Sequence, residues 1–252
     1  MLEKQEIERI AGIKQLSVKN AEKDYLLELL LFILAAETGR DLVFKGGTAL
    51  YKLYSLNRFS EDLDFTLNAA KLDVEALSQK IMRKLKSVGV NGRIKAIESY
   101  ATQKNVKLEL RGPLFDGNIK SISMITLNIS LKEKPLHEPE QRKIFPRYPD
   151  IPTFDIFVMP LSELFAEKVR ALLTRDKPRD VYDVWFLLSL GAKLNIGELN
   201  KKLKRHEIAF SSANLVAKLD QMKNSWKSDL GSLIIGKLPD FDVVKKSILE
   251  KI

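Results

Sequence analysis

The stretch from Phe44 to Phe65, Phe-Lys-Gly-Gly-Thr-Ala-Leu-Tyr-Lys-Leu-Tyr-Ser-Leu-Asn-Arg-Phe-Ser-Glu-Asp-Leu-Asp-Phe, constrains this chain more than any other. A short apolar run ends in Gly46-Gly47-Thr48, a helix-length spacer follows, and Asp62 and Asp64 then flank Leu63. Glycine has no side chain and tolerates φ > 0, so a Gly-Gly-Thr turn lets a phosphate approach the backbone. Aspartates at i and i+2 of a strand point to the same face, where their oxygens can hold a hard cation such as Mg²⁺. The spacer is long enough for two helical turns and a return, which brings both features to the same end of a sheet. A solvated strand edge would explain Asp-Leu-Asp by itself. Coupled to the glycine turn, it points to chemistry on a nucleoside triphosphate, with the cation neutralising charge that develops at the α-phosphorus.

Around this stretch the pattern is mixed. Apolar residues at helical spacing predict a helix over 20–37, closed by Gly39. A strand over 42–44, a helix over 49–55 and a second strand over 62–67 follow, then a helix over 74–88. Short β-like runs cover 93–99, 106–111 and 122–131. Five prolines make 134–153 a stiff connector with little regular structure. A last strand over 154–159 precedes Pro160. Beyond it the chain reads helical, at 162–174, 180–190, 197–206, 211–223 and 241–251. The expected organisation is an α/β domain over 1–160 and a helical domain over 161–252.

Composition narrows the function classes. A net charge of +9 favours an anionic partner. The absence of cysteine excludes disulfides and thiolate chemistry. The start of the chain is too charged for a secretory signal, and no apolar run reaches the ~20 residues needed to span a bilayer. A cytoplasmic protein with no membrane partner is expected. His137 and His206 lie far apart and lack neighbours at zinc-ligand spacing.

Further residues carry chemistry. Arg58 and Ser60 precede the aspartates, and the arginine fork could clamp a phosphate or orient a carboxylate. In the block 166–185, Lys168 falls on the apolar stripe of its helix, where its charge requires a carboxylate or a phosphate. It could pair with Asp183 or reach a triphosphate in a cleft. Asp180, after Pro178-Arg179, suits an N-cap, which would place Asp183 at the third helical position. Lys201, Lys202, Lys204 and Arg205 form a basic helix face, either solvated or tracking a nucleic-acid backbone.

Gly46-Gly47-Thr48-Ala49-Leu50 followed by Arg58-Phe59-Ser60-Glu61-Asp62-Leu63-Asp64, with Glu167-Lys168 and Arg179-Asp180-Val181-Tyr182-Asp183 further on, resembles the AbiEii/AbiGii nucleotidyltransferase toxin family, which includes the MenT toxins. The resemblance spans about residues 40–190. It implies an α+β fold with a DNA polymerase β-like nucleotidyltransferase core, a mixed sheet with helices, followed by a helical carboxy-terminal region. It implies transfer of a nucleoside monophosphate from an NTP, dependent on Mg²⁺ or Mn²⁺, to an RNA acceptor such as a tRNA 3′ end. It also implies the toxin role of a type IV-like system with a cognate antitoxin protein. A protein or small-molecule acceptor, or a non-catalytic nucleotide- or RNA-binding relative, is the alternative. By motif position Gly46, Gly47, Thr48, Arg58, Ser60 and Lys168 would bind nucleotide and Asp62 and Asp64 the metal. Lys168 and Asp183 would join the two aspartates as catalytic residues. One departure stands out. Relatives carry a third acid on a later strand, where this chain has Asn128, so either Asp183 or Glu109 substitutes or the chain has lost efficient catalysis.

Overall fold

A computed structural model describes all residues, 1–252, and the chain divides into two compact units. The first comprises Met1–Ser55, Phe59–Pro135 and Pro139–Val158; the second comprises Leu56–Arg58, Leu136–Glu138 and Met159–Ile252. No helix is long and apolar enough to cross a membrane.

In the first unit, helices α1 (Lys4–Lys14) and α2 (Val18–Thr38) lead to strand β1 (Leu42–Lys45), helix α3 (Gly46–Tyr54), strand β2 (Leu63–Leu67) and helix α4 (Val74–Ser87). Strands β3 (Asn91–Ser99), β4 (Gln103–Arg111), β5 (Ser123–Ser130), β6 (Glu140–Ile144) and β7 (Phe154–Val158) complete one seven-stranded sheet, ordered β3-β4-β5-β2-β1-β7-β6. It is mixed: β2 runs antiparallel to β1 but parallel to β5, and β1 runs parallel to β7.

Strand alternation gives this sheet two different faces. Leu42 and Phe44, Leu63 and Phe65, Leu127 and Ile129, and Val106 and Leu108 are all buried. They share one face, which Tyr25 to Leu34 of α2 and the Leu77, Ile81 and Leu85 stripe of α4 help to cover. On the opposite face the in-register residues are polar. Lys45 pairs with Asp64, Asp64 with Asn128, and Asn128 with Asn105.

α2 starts earlier than the periodicity predicts, because Ser17 rather than Asn20 caps it, its hydroxyl accepting from the Asn20 N–H. In the first unit two elements escape the sequence pattern altogether. α1 buries only Ile7, Ile10 and Ala11, a single turn-spaced stripe. β6 interrupts the connector that was expected to be irregular. Its charged sequence, Glu-Gln-Arg-Lys-Ile, suits an edge strand whose outer side meets water.

A buried polar cluster ties the first three helices together. Asp24, fully buried, accepts from Lys14 and, at 2.5 Å, from Lys52; Lys52 also reaches Glu28 at 2.6 Å. The Tyr148 hydroxyl donates to Asp24 at 2.7 Å. Burial alone would raise the Asp24 carboxyl pKa, but Lys52 and Lys14 outweigh burial and hold it below the usual carboxylate range.

The second unit contains helices α5 (Leu161–Thr174), α6 (Pro178–Ser189), α7 (Ile196–Leu203), α8 (Ser212–Met222), α9 (Trp226–Leu230) and α10 (Phe241–Leu249). α9, absent from the sequence pattern, carries Trp226. The Trp226 ring packs against Tyr182 and Phe241 and its indole N–H donates to the Pro239 carbonyl at 3.0 Å. The Leu56–Arg58 segment belongs here through an Arg58–Ile234 bridge and an Ile235 N–H bond to the Asn57 carbonyl at 3.0 Å.

Lys202 corrects the expected basic helix face. It is buried and pairs with Glu163 at 2.7 Å and Glu167 at 2.9 Å, leaving Lys201, Lys204 and Arg205 exposed. Spacing in the sequence could not separate these residues, because the buried stripe of α7 passes through Leu199, Lys202 and Leu203.

Candidate active site

The chain leaves β1 at Lys45 and enters α3 directly, with Gly46 in the left-handed region at φ +81°. A side chain there is excluded twice. The backbone conformation is strained for an L-residue. A Cβ built on Gly46 would also lie 2.3 Å from Asp64 Oδ2 and 2.8 Å from Asp64 Cβ. Gly46 is therefore glycine because the Asp64 carboxylate sits against its α-carbon. This contact places the β2 carboxylate at the start of α3. There the first N–H groups have no helical partner and no side chain caps the helix, so the end favours negative charge.

Thr48 holds the same end together from within. It is fully buried; its hydroxyl donates to the Asp62 carbonyl at 2.5 Å and lies 2.9 Å from the Ser60 hydroxyl. The Thr48 side chain thus clamps the approach to β2 onto α3, and Ser60 shares that clamp. Asp62 and Asp64 are both partly exposed, on either side of buried Leu63.

Asn128 lies beside Asp64 in the parallel β2–β5 pair and donates from Nδ2 to Asp64 Oδ1 at 3.0 Å. The amide therefore orients Asp64 with one oxygen and leaves Oδ2 toward Gly46. Glu109 does not take the place of the missing acid. It lies opposite Met124, four residues along β4 from Asn105, or ~13 Å at strand rise, and it binds Arg93 at 2.6 Å and Lys95 at 3.2 Å.

In the second unit, Arg58, Lys168 and Asp183 form one buried ion cluster. Arg58 donates to both Asp183 oxygens at 2.9 Å, and Lys168 reaches Asp183 at 2.7 Å. Of the two roles open to each cation in the sequence, the structure displays carboxylate pairing. Asp183 is fully buried. Burial acts to raise its pKa, but Arg58 and then Lys168 overcome this and hold the carboxyl below its ordinary value.

Asp180 is not the N-cap. α6 begins two residues earlier with Pro178 at its first position, where proline's fixed φ and missing N–H fit. Asp180 consequently falls at the third position, accepts from Arg175 at 2.7 and 2.9 Å, and lies 3.9 Å from Lys168. Asp183 moves to the second turn. His137 lies 3.0 Å from Glu198 and His206 3.3 Å from Arg170.

The residues that sequence reasoning did not assign to this region are Lys45 and Asn105. Lys45 is buried although it is a lysine, in register with Asp64. Only the pairing of four strands aligns these two with the aspartates, so no local signal could mark them.

Replacing Gly46 by alanine is expected to displace the Asp64 carboxylate or unwind the first turn of α3. The change should destabilise the protein by roughly 1–3 kcal/mol, from the strained φ together with the contact. Chemical denaturation of the variant checks the value; a loss below a few tenths of a kcal/mol would contradict the contact.

A mixed sheet whose β2 carries Asp64 against the glycine turn at the start of a helix, with Asp62 just ahead of that strand, fits the nucleotidyltransferase class that comparison with known proteins shows. Among solved structures, the chain is similar to the MenT4 nucleotidyltransferase toxin of Mycobacterium tuberculosis H37Rv, with a TM-score of 0.69 and 16% identity over 100% of this chain and 88% of that one. It is also similar to JHP933 of Helicobacter pylori, with a TM-score of 0.55 and 21% identity over 94% of this chain and 91% of the other. Comparison with curated protein sequences gave no significant match. The family model for the nucleotidyl transferase AbiEii toxin of type IV toxin–antitoxin systems matches residues 29–247, and the chain belongs to that family.

Proposed function

We propose that this toxin transfers a nucleoside monophosphate from an NTP to the 3′ end of an RNA, a tRNA being the acceptor class, in a reaction dependent on Mg²⁺ or Mn²⁺, and that a cognate antitoxin protein restrains it in the cytoplasm. The observation that carries this reading is the contact of Asp64 with Gly46, which sets a carboxylate against the open N-terminus of α3.

The donor set suits a hard divalent cation. Asp62 and Asp64 offer only oxygen, both are partly exposed, and Mg²⁺ is ordinarily held by one or two carboxylates together with substrate phosphates. A full cage of protein ligands is unnecessary, and no cluster of three or more acidic or histidine residues exists here. The cation, when bound, would neutralise charge on the triphosphate and acidify the attacking hydroxyl.

The chain's own groups do the rest. Asn128 fixes one Asp64 oxygen. The first N–H groups of α3, kept accessible by Gly46 and Gly47, are suited to phosphate oxygens. Thr48 and Ser60 act through the backbone, setting where β2 begins relative to α3. Asn128 cannot serve as a base, since an amide does not accept a proton at neutral pH.

The test is incubation of the purified protein with each NTP and total cellular RNA in Mg²⁺, reading RNA mass. Growth of one RNA class by one or a few nucleotides, absent in Asp62→Ala, is expected. Labelling that follows the protein fraction of an RNA-depleted lysate would overturn the RNA acceptor and leave the transferase in place.

A further inference from the structure

At edge strand β3 a cavity of about 400 Å³ opens between helix α4 and the end of the sheet. It is lined by Met82, Arg83 and Lys86 of α4, by Arg93 of β3, and by Glu109 and Arg111 of β4. The charges do not balance. Glu109 is shared between Arg93 at 2.6 Å and Lys95 at 3.2 Å, and these cations draw its carboxyl below the usual pKa.

Arg83 and Lys86 have no carboxylate partner. Their neighbours on α4, Lys80 and Lys84, both go to Glu37. Arg111 lies over the Phe115 ring at 5.0 Å, which leaves the edges of its guanidinium for other acceptors. Four cations thus line a concave surface with one carboxylate, which Lys95 also engages, an arrangement that favours a polyanion.

The groove is also placed with respect to Asp64. Asn105 lies two strands from Asp64, through Asn128, and Arg111 lies six residues further along β4. At strand spacing and rise this is a path of roughly 20 Å. The face between carries Lys107 and Thr126 in register, then Glu109 and Met124.

We infer that this groove binds the phosphate backbone of the acceptor RNA about six nucleotides upstream of its reacting end. A stacked strand rises ~3.4 Å per nucleotide, so that number of steps covers the path. The inference deepens the RNA-acceptor reading and takes its direction from it. Arginine and lysine here contact phosphates and carry no base readout, so binding is independent of sequence.

The experiment follows fluorescence anisotropy of a labelled oligoribonucleotide of about twelve nucleotides, long enough to cover the path, between about 50 and 200 mM salt. The wild-type protein is compared with the fourfold variant Arg83→Gln, Lys86→Gln, Arg93→Gln, Arg111→Gln. A control, Lys201→Gln, Lys204→Gln, Arg205→Gln, removes exposed cations elsewhere. The groove variant is expected to weaken binding at least about tenfold at low salt and to flatten the slope of log K on log salt by about 3, at ~0.7 per phosphate contact. The control should keep the wild-type slope.

Three outcomes overturn the inference: no RNA binding by the wild-type protein, equal slopes in wild type and groove variant, or equal losses in groove variant and control. Binding of a polyglutamate peptide through the same cations in place of RNA would also overturn it, assigning the groove to an acidic protein. Thermal melting checks that both variants are folded. Binding is read without turnover, so intact RNA binding without nucleotide transfer counts against the proposed reaction and leaves the groove standing.

Discussion

Asp64→Asn is expected to reduce nucleotidyl transfer by roughly 10³-fold, about 4 kcal/mol of barrier, while leaving the fold unchanged. The substitution is nearly isosteric. Asparagine keeps a carbonyl oxygen for the Asn128 Nδ2 donor that now lies 3.0 Å from Asp64 Oδ1. What it removes is the formal negative charge beside Gly46, and with it one of two candidate anionic ligands for a divalent cation. Loss of kcat with a melting temperature within a degree or two of wild type would identify a site effect. A fall in transfer of less than about tenfold would exclude Asp64 from the reacting centre.

The largest stability effect is expected at Asp183. It is fully buried between Arg58, which binds both its oxygens, and Lys168. Asp183→Ala strands two buried cations, and breaking a buried ion group by removing one partner costs about 3–5 kcal/mol. For a chain of this length that lowers the melting temperature by roughly 10 °C. Replacing the group as a whole, with Arg58→Met, Lys168→Met and Asp183→Leu, should cost less than the single change, since no charge is left unpaired. If the triple variant is the less stable of the two, the cluster is worth more to the fold than this account allows.

The same group gives a direction with pH. The Asp183 carboxyl is held below its ordinary value in the folded chain, so the unfolded chain takes up its proton more readily. The stabilisation is complete above the unfolded value of about 3.9 and is lost as pH falls through the lower folded value. Asp24, also lowered, acts in the same sense. Melting temperature should therefore fall steeply below about pH 4, and Asp183→Asn should flatten part of that slope. A variant slope identical to wild type would contradict the assignment.

Much of the fold could be read from local pattern. The glycine turn announced the start of α3, although the helix takes in the glycines themselves rather than beginning at Ala49. The α4 stripe and the alternation of β4 and β5 followed burial closely. Legibility failed where tertiary contacts override local signals. β6 is charged and flanked by prolines, and it is a strand only because β7 pairs with it. α6 starts on Pro178 with Lys177 at its N-cap, so capping logic applied to Asp180 landed three residues late.

The candidate site was legible in part for the same reason. Gly46, Asp62 and Asp64 lie in one segment with a recognisable spacing. The partner of Asp64 comes from β5, more than sixty residues away, as a parallel neighbour that no turn fixes. Asn128 could be singled out in the sequence for lacking an acid, but its bond to Asp64 depends on strand register. The buried Thr48 hydroxyl holds the Asp62 carbonyl, a partner that no local pattern marks.

The most direct test of the account is Mn²⁺ binding, followed by electron paramagnetic resonance in the presence of a non-hydrolysable NTP. The wild-type chain should bind the metal–nucleotide pair, and Asp62→Asn and Asp64→Asn should each weaken it at least about tenfold, a cost of 1.4 kcal/mol or more. Equal affinity in wild type and both variants would show that Asp62 and Asp64 do not hold the cation.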